Sequence, residues 1–140
     1  IEQKEKYDRV DDAVCAVRSA LDEGILPGGG VTLWREGHKL LDGDDQLAGE
    51  NLSESMKAPF RTIMKNAGLS EGDVMEIEGL VSNTDSKMGY DVKDGMFGDM
   101  YKMGILDPLK VTKNALKNAV SVATTILSTN AIITMAREIK

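Results

Sequence analysis

Cysteine, histidine and clustered basic residues are what this sequence has least of. A single cysteine, Cys15, leaves no intramolecular disulfide, and a single histidine, His38, leaves no His/Cys set from which a transition-metal site could be built. The expectation is a reducing, cytoplasmic compartment, with Cys15 a small buried apolar residue rather than a nucleophile. Acidic residues outnumber basic ones, 23 to 17 among 140, for a net charge of −6, and no Lys/Arg cluster reverses that locally. Nucleic acid and an anionic membrane surface are therefore excluded as expected partners. No apolar run approaches the roughly 20 residues that span a bilayer, and the charged stretch Glu2 to Arg9 has no signal-peptide core. A chain of this length supports one compact core at most. It opens with Ile1 directly in a helical pattern, so a piece of a longer polypeptide is expected.

What is present is mostly helical periodicity. Tyr7, Val10, Val14, Val17 and Leu21 recur every three or four positions, which predicts an amphipathic helix from about Glu2 to Glu23 ended by Gly24. Pro27-Gly28-Gly29-Gly30 predicts a turn, and a shorter helix follows to about Leu41, placing Trp34 and His38 on one face. Beyond the polar loop Asp42 to Asp45, a helix to Lys57 is expected to break or kink at Pro59, with a separate turn or two carrying Phe60, Ile63 and Met64. Ser70-Glu71-Gly72-Asp73 resembles a capping box opening a helix through Val74, Ile77 and Leu80. The Asp94-Gly95 step between Gly89-Tyr90-Asp91 and Gly95-Met96-Phe97 predicts a small hairpin. Asp107-Pro108 has the composition of a helix start, with Asp107 as N-cap, and the helix to about Ser128 is apolar on more than one stripe. Ala131 to Met135 reads as a strand without a partner. Missing sequence is the expected cover for both.

Three segments, in this order and spacing, carry a resemblance: Lys6-Tyr7-Asp8-Arg9-Val10-Asp11-Asp12-Ala13 running into Gly24-Ile25-Leu26-Pro27-Gly28-Gly29-Gly30-Val31; Gly89-Tyr90-Asp91 with Gly98-Asp99-Met100; and Met103-Gly104-Ile105-Leu106-Asp107-Pro108 leading into Lys110-Val111-Thr112. Together they resemble the C-terminal stretch of a group I chaperonin subunit of the GroEL type, over essentially the whole chain. The fold this implies is mainly α: the helical bundle of the equatorial domain with a small β-hairpin and a C-terminal strand. Residues 1–23 would be a helix of the intermediate, or hinge, domain, and 24–140 the C-terminal half of the equatorial ATP-binding domain.

The resemblance also assigns roles. Asp12 matches the carboxylate that orients the water attacking the terminal phosphate of ATP, a task that phosphoryl transfer gives to positioning residues. Gly29 matches the backbone lying closest to the nucleotide, Ile105 the apolar residue against the adenine, and Asp107 the acceptor for the ribose hydroxyls. Asp91 and Val92 match the base-contacting stretch, with departures. Asp91 stands where asparagine is usual, and Val92 and Lys93 stand where small residues are usual. An aspartate cannot donate to the base as an amide can. Arg61 and Glu71 fall near segments that meet the opposite ring in the family.

The family's Asp-Gly-Thr-Thr-Thr phosphate loop is not in this sequence. With it go the Mg2+ ligands, a second catalytic carboxylate and the substrate-binding apical domain, so no ATP hydrolysis is expected of the 140-residue chain by itself. The expected parent is an ATP-dependent folding machine whose partners are the N-terminal remainder of the subunit, homo-oligomeric rings, a co-chaperonin and unfolded client proteins. The alternative is an autonomous helical interaction module derived from a chaperonin, without nucleotide binding.

Overall fold

The apolar stripe from Tyr7 to Leu21 lies along a single long helix, α1 (Glu2–Glu23), in the computed structural model, which describes residues 1–42, 46–131 and 133. Gly24 ends α1 at φ 95°, with its N–H donating to the Ala20 carbonyl at 2.8 Å. Strand β1 (Ile25–Pro27) and the glycine turn lead into α2 (Val31–Lys39), which closes with a 3-10 turn, Leu40–Asp42. Helix α3 (Gln46–Asn66) packs against α2, and α4 (Glu71–Ser82) packs against α3. A hairpin of β2 (Met88–Asp91) and β3 (Met96–Asp99), the short α5 (Met100–Met103), β4 (Leu106–Pro108) and α6 (Leu109–Leu127) complete the order. The fold is mainly helical, as the periodicities require. Among the described residues no helix is long and apolar enough to cross a membrane.

The core lies where α2, α3, α4 and α5 converge. Val31 and Trp34 meet Phe60 and Met64, with Val74, Ile77 and Val81 from α4 and Met100 from α5, all buried. Pro59 does not break the helix at this point, contrary to the sequence expectation. Met56, Phe60 and Met64 fall at i, i+4 and i+8 across the proline and are all buried. Burying those three side chains is worth several kcal/mol and outweighs the roughly 3 kcal/mol that an interior proline costs.

Ser70 caps α4 as its sequence predicts. The Asp73 N–H donates to Ser70 Oγ at 3.3 Å, and the Ser70 N–H donates to Asp73 Oδ2 at 2.9 Å. Trp34 and His38 stack with ring centroids 5.7 Å apart. Cys15 is exposed on α1, correcting the expectation that it is buried; no residue of α1 is fully buried among the described residues. The anticipated strand Ala131 to Met135 lies largely outside the described residues.

Glu78 ties three helices together. Its Oε1 accepts from Trp34 Nε1 and from Arg61 Nε, both at 2.7 Å, and only 14% of its side chain is exposed. Arg61 also pairs with Glu54, and Glu71 pairs with Lys65, so both residues are engaged within the chain. Burial pushes the Glu78 carboxyl up, but Arg61 and Trp34 together pull it below the ordinary value near 4.5. A depressed carboxylate contributes stability above its unfolded value and loses it as pH falls through the folded one. Glu78→Ala is therefore expected to cost about 2 kcal/mol at pH 7, because it orphans the indole N–H and part of the guanidinium. The gap from wild type should close as urea unfolding is repeated toward about pH 3; a gap independent of pH would contradict the charge assignment.

Candidate functional site

The Pro27-Gly28-Gly29-Gly30 turn is held from two sides. The Gly28 N–H donates to the Ile105 carbonyl at 2.9 Å, and a Cβ on Gly28 would lie 3.1 Å from that same oxygen. On the other side, a Cβ on Gly30 would lie 2.8 Å from the Phe60 nitrogen. Between them Gly29 sits at φ 67°, and its Cβ direction meets only the Met100 methyl, at 3.5 Å. The outer two glycines thus dock the turn on the protein. The middle one, half-buried, lies in van der Waals contact with the buried Met100.

The same docking brings Ile105 and Asp107 to the turn. β1 and β4 form an antiparallel ladder in which Leu26 faces Asp107 and Pro27 faces Leu106. This pairing was absent from the sequence expectations, and it corrects one of them. Asp107 is a strand residue, and the N-cap of α6 is Pro108, with no side chain bonded to the free amides. Ile105 is half-buried against the core cluster. The Asp107 carboxylate is half-buried and has no hydrogen bond or ion pair among the described residues.

Burial pushes the Asp107 carboxyl above its ordinary value near 3.8. A group whose pKa is raised on folding favours the fold below its unfolded value and opposes it as pH rises through the folded one. Asp107→Asn is accordingly expected to raise the unfolding midpoint of this chain at pH 7, with the advantage vanishing in acid below about pH 3. A lower midpoint at pH 7 would show that the carboxylate has a stabilising partner.

Asp12 stands on α1 away from this cluster. It is exposed and carries no ion pair or hydrogen bond among the described residues. Its direction is nevertheless defined. The only partly buried residues of α1 are Ala16, Ser19 and Ala20, on the side packed against β4 and α6. Asp12 precedes Ala16 by four and Ser19 by seven positions, so it shares that side. Eleven residues separate Asp12 from Glu23, roughly 16 Å of helix at 1.5 Å per residue. A modest tilt about Gly24 would carry Asp12 through several ångströms.

Two ion pairs anchor the C-terminal end of α1. Lys110 Nζ donates to Asp22 Oδ2 at 2.7 Å, Lys113 pairs with Glu23, and the Leu109 N–H donates to the Gly24 carbonyl at 3.0 Å. Sequence reasoning missed both lysines. Their one signal was a pair of cations three apart in the first turns of α6.

Asp91 and Val92 take structural positions. Asp91 Oδ1 accepts from the Lys93 amide at 2.8 Å and the Asp94 amide at 3.4 Å, closing the hairpin turn, and Val92 packs against the core cluster. Met100 links the hairpin to the glycine turn. A Cβ on Gly89 would lie 2.7 Å from its sulfur, while its methyl faces Gly29.

The profile of the TCP-1/cpn60 chaperonin family matches residues 2–137. The chain is 45% identical over 139 residues to "Chaperonin GroEL" of Orientia tsutsugamushi, covering 96% of this chain and 25% of that protein. To the mitochondrial "Chaperonin homolog Hsp-60" of Caenorhabditis elegans it is 40% identical over 139 residues, covering 96% of this chain and 24% of that protein. In structure it is similar to a group III chaperonin crystallised in the open state, with a TM-score of 0.68 and 33% identity, covering 82% of this chain and 25% of that one. The chain thus spans about a quarter of the length of the relatives it matches. A profile match over nearly every residue, with relatives at this identity, means that the chain belongs to the TCP-1/cpn60 chaperonin family.

Proposed function

We propose that this chain supplies the nucleoside-binding half and the hydrolytic carboxylate of the ATPase site in an ATP-dependent protein-folding chaperonin. Residues 1–23 act as the hinge-domain helix and 24–140 as the C-terminal half of the equatorial domain. The observation that carries this reading is the docking of the glycine turn beside the unpartnered, half-buried carboxylate of Asp107. A desolvated acceptor with no protein donor suits a pair of sugar hydroxyls, since an unpaired buried acceptor is costly until a donor arrives. Gly29 brings half-buried backbone without a side chain to the site, and Ile105 offers an apolar flank.

Bound ATP with its Mg2+ ion would supply the phosphoanhydride bond that is cleaved. The metal ligands and the phosphate contacts belong to other residues of the subunit. Asp12 accepts a hydrogen from the attacking water and fixes its direction, once α1 has brought it over the phosphates. Homo-oligomeric rings, a co-chaperonin and unfolded clients are the partners this role implies.

The test uses the full-length subunit encoded by the same gene. Wild-type subunit should bind ATP about tenfold more tightly than 2′-deoxy-ATP, the value of one or two hydrogen bonds to a carboxylate. Asp107→Asn should remove most of that preference. A preference for ribose left intact in Asp107→Asn would rule out Asp107 as the sugar acceptor.

A further inference from the structure

Met100 stands where the hairpin, the glycine turn and Ile105 come together, and each part of it is committed to a different one of them. Its N–H donates to the Lys87 carbonyl at 2.9 Å, just before β2, and its carbonyl accepts from the Ile105 N–H at 3.0 Å. The Ile105 carbonyl in turn accepts from the Gly28 N–H. The Met100 side chain, fully buried, runs between Gly89 and Gly29.

Gly89 makes room for it. This glycine is buried in β2 without a positive φ, so its backbone would accept any residue, yet a Cβ there would lie 2.7 Å from the Met100 sulfur and 2.8 Å from its Cγ. Across the ladder Gly98 faces Gly89, and a Cβ on Gly98 would lie 3.3 Å from the Met103 sulfur. Paired positions share a face of the sheet, so α5 seats two methionines in two adjoining gaps of the hairpin. Beyond Gly89 the Met100 methyl reaches the turn, 3.5 Å from where a Gly29 Cβ would be. A close-packed interior passes a displacement on, because no void absorbs it. The hairpin and the turn are thus joined twice, through the Met100 backbone and through its side chain.

We propose that Met100 is a positioning residue of the nucleotide site, its side chain holding the Gly29 backbone at a fixed place relative to the β2–β3 hairpin and Ile105. It acts through Gly29 and not by touching the ligand. This role rests on the proposed binding of nucleotide at the glycine turn.

The experiment measures ATP affinity in the full-length subunit carrying Met100→Leu or Gly89→Ala. Leucine keeps the buried volume, so the fold is retained, but it stops one atom short of the turn. Met100→Leu is expected to bind ATP about fivefold more weakly than wild type. Its preference for ATP over 2′-deoxy-ATP should be unchanged, because Asp107 is undisturbed, and its turnover at saturating ATP should stay within about twofold of wild type. Gly89→Ala pushes the sulfur toward the turn and is expected to lose a similar factor, but less than about twofold when added to Met100→Ala, where no sulfur is left to push. ATP affinity within about twofold of wild type in both Met100→Leu and Gly89→Ala, whatever their thermal midpoints, would overturn the proposal and leave Met100 as core alone. So would a Gly89→Ala loss that is the same with and without the methionine. A wild-type subunit that binds no ATP would overturn the proposed function and this role together.

Discussion

Gly30→Ala is expected to destabilise this chain by about 3 kcal/mol, more than half of the total if stability is near the low end of the usual 5–15 kcal/mol. Two costs add. Gly30 holds φ 77°, a left-handed conformation that costs an L-residue about 1–2 kcal/mol. The new methyl would also sit 2.8 Å from the Phe60 nitrogen and 3.1 Å from its Cα, and these are backbone atoms in the middle of α3 that no rotamer change can move. Overpacking of that kind costs about 1–3 kcal/mol. Gly29→Ala is the informative contrast. It carries similar φ strain, but its methyl meets only the flexible end of Met100, so about 1–2 kcal/mol is expected. Parallel urea titrations of the two variants make the comparison; equal losses would mean that the turn is not clamped against α3.

Asp12→Ala in the full-length subunit is expected to lower steady-state phosphate release about 100-fold, with ATP affinity within a factor of two or three. Positioned proton acceptors contribute about 10²–10⁴-fold, and the lower figure applies because an oriented water retains some reactivity without its acceptor. Stability should hardly change, since Asp12 is exposed and bonded to nothing among the described residues. Folding loss and catalytic loss are therefore separable at this position, which is not true of the glycine turn.

The helices were legible in the sequence wherever one apolar stripe repeats at helical spacing: α1, α2 and α4 follow from it, and Ser70 and Asp73 mark the start of α4 as written. The hairpin was legible from Asp94-Gly95 because the turn chemistry is local. Pro59 misled because its local cost is visible, whereas the packing of Met56, Phe60 and Met64 on α2 and α4 is not. Asp107 misled for the related reason that Asp-Pro is a good local helix start. Its actual constraint is a three-residue strand pairing with Ile25 to Pro27, at the other end of the core in sequence. Strands that short, both ending in proline, carry no periodicity to read. The candidate site was legible only through its family motifs. No local rule distinguishes Asp12 from other exposed carboxylates of α1, or anticipates that Lys110 and Lys113 reach back to Asp22 and Glu23.

Nucleotide binding and hydrolysis are assigned to different ends of this chain, at Asp107 and at Asp12. The measurement that tests this division most directly sets ATP affinity beside turnover at saturating ATP, for Asp12→Ala and Asp107→Asn in the full-length subunit. Asp12→Ala should keep its affinity and lose about 100-fold in turnover. Asp107→Asn should lose about tenfold in affinity and keep most of its turnover once saturated. Unchanged turnover in Asp12→Ala, or the same loss of affinity in both variants, would contradict the assignment.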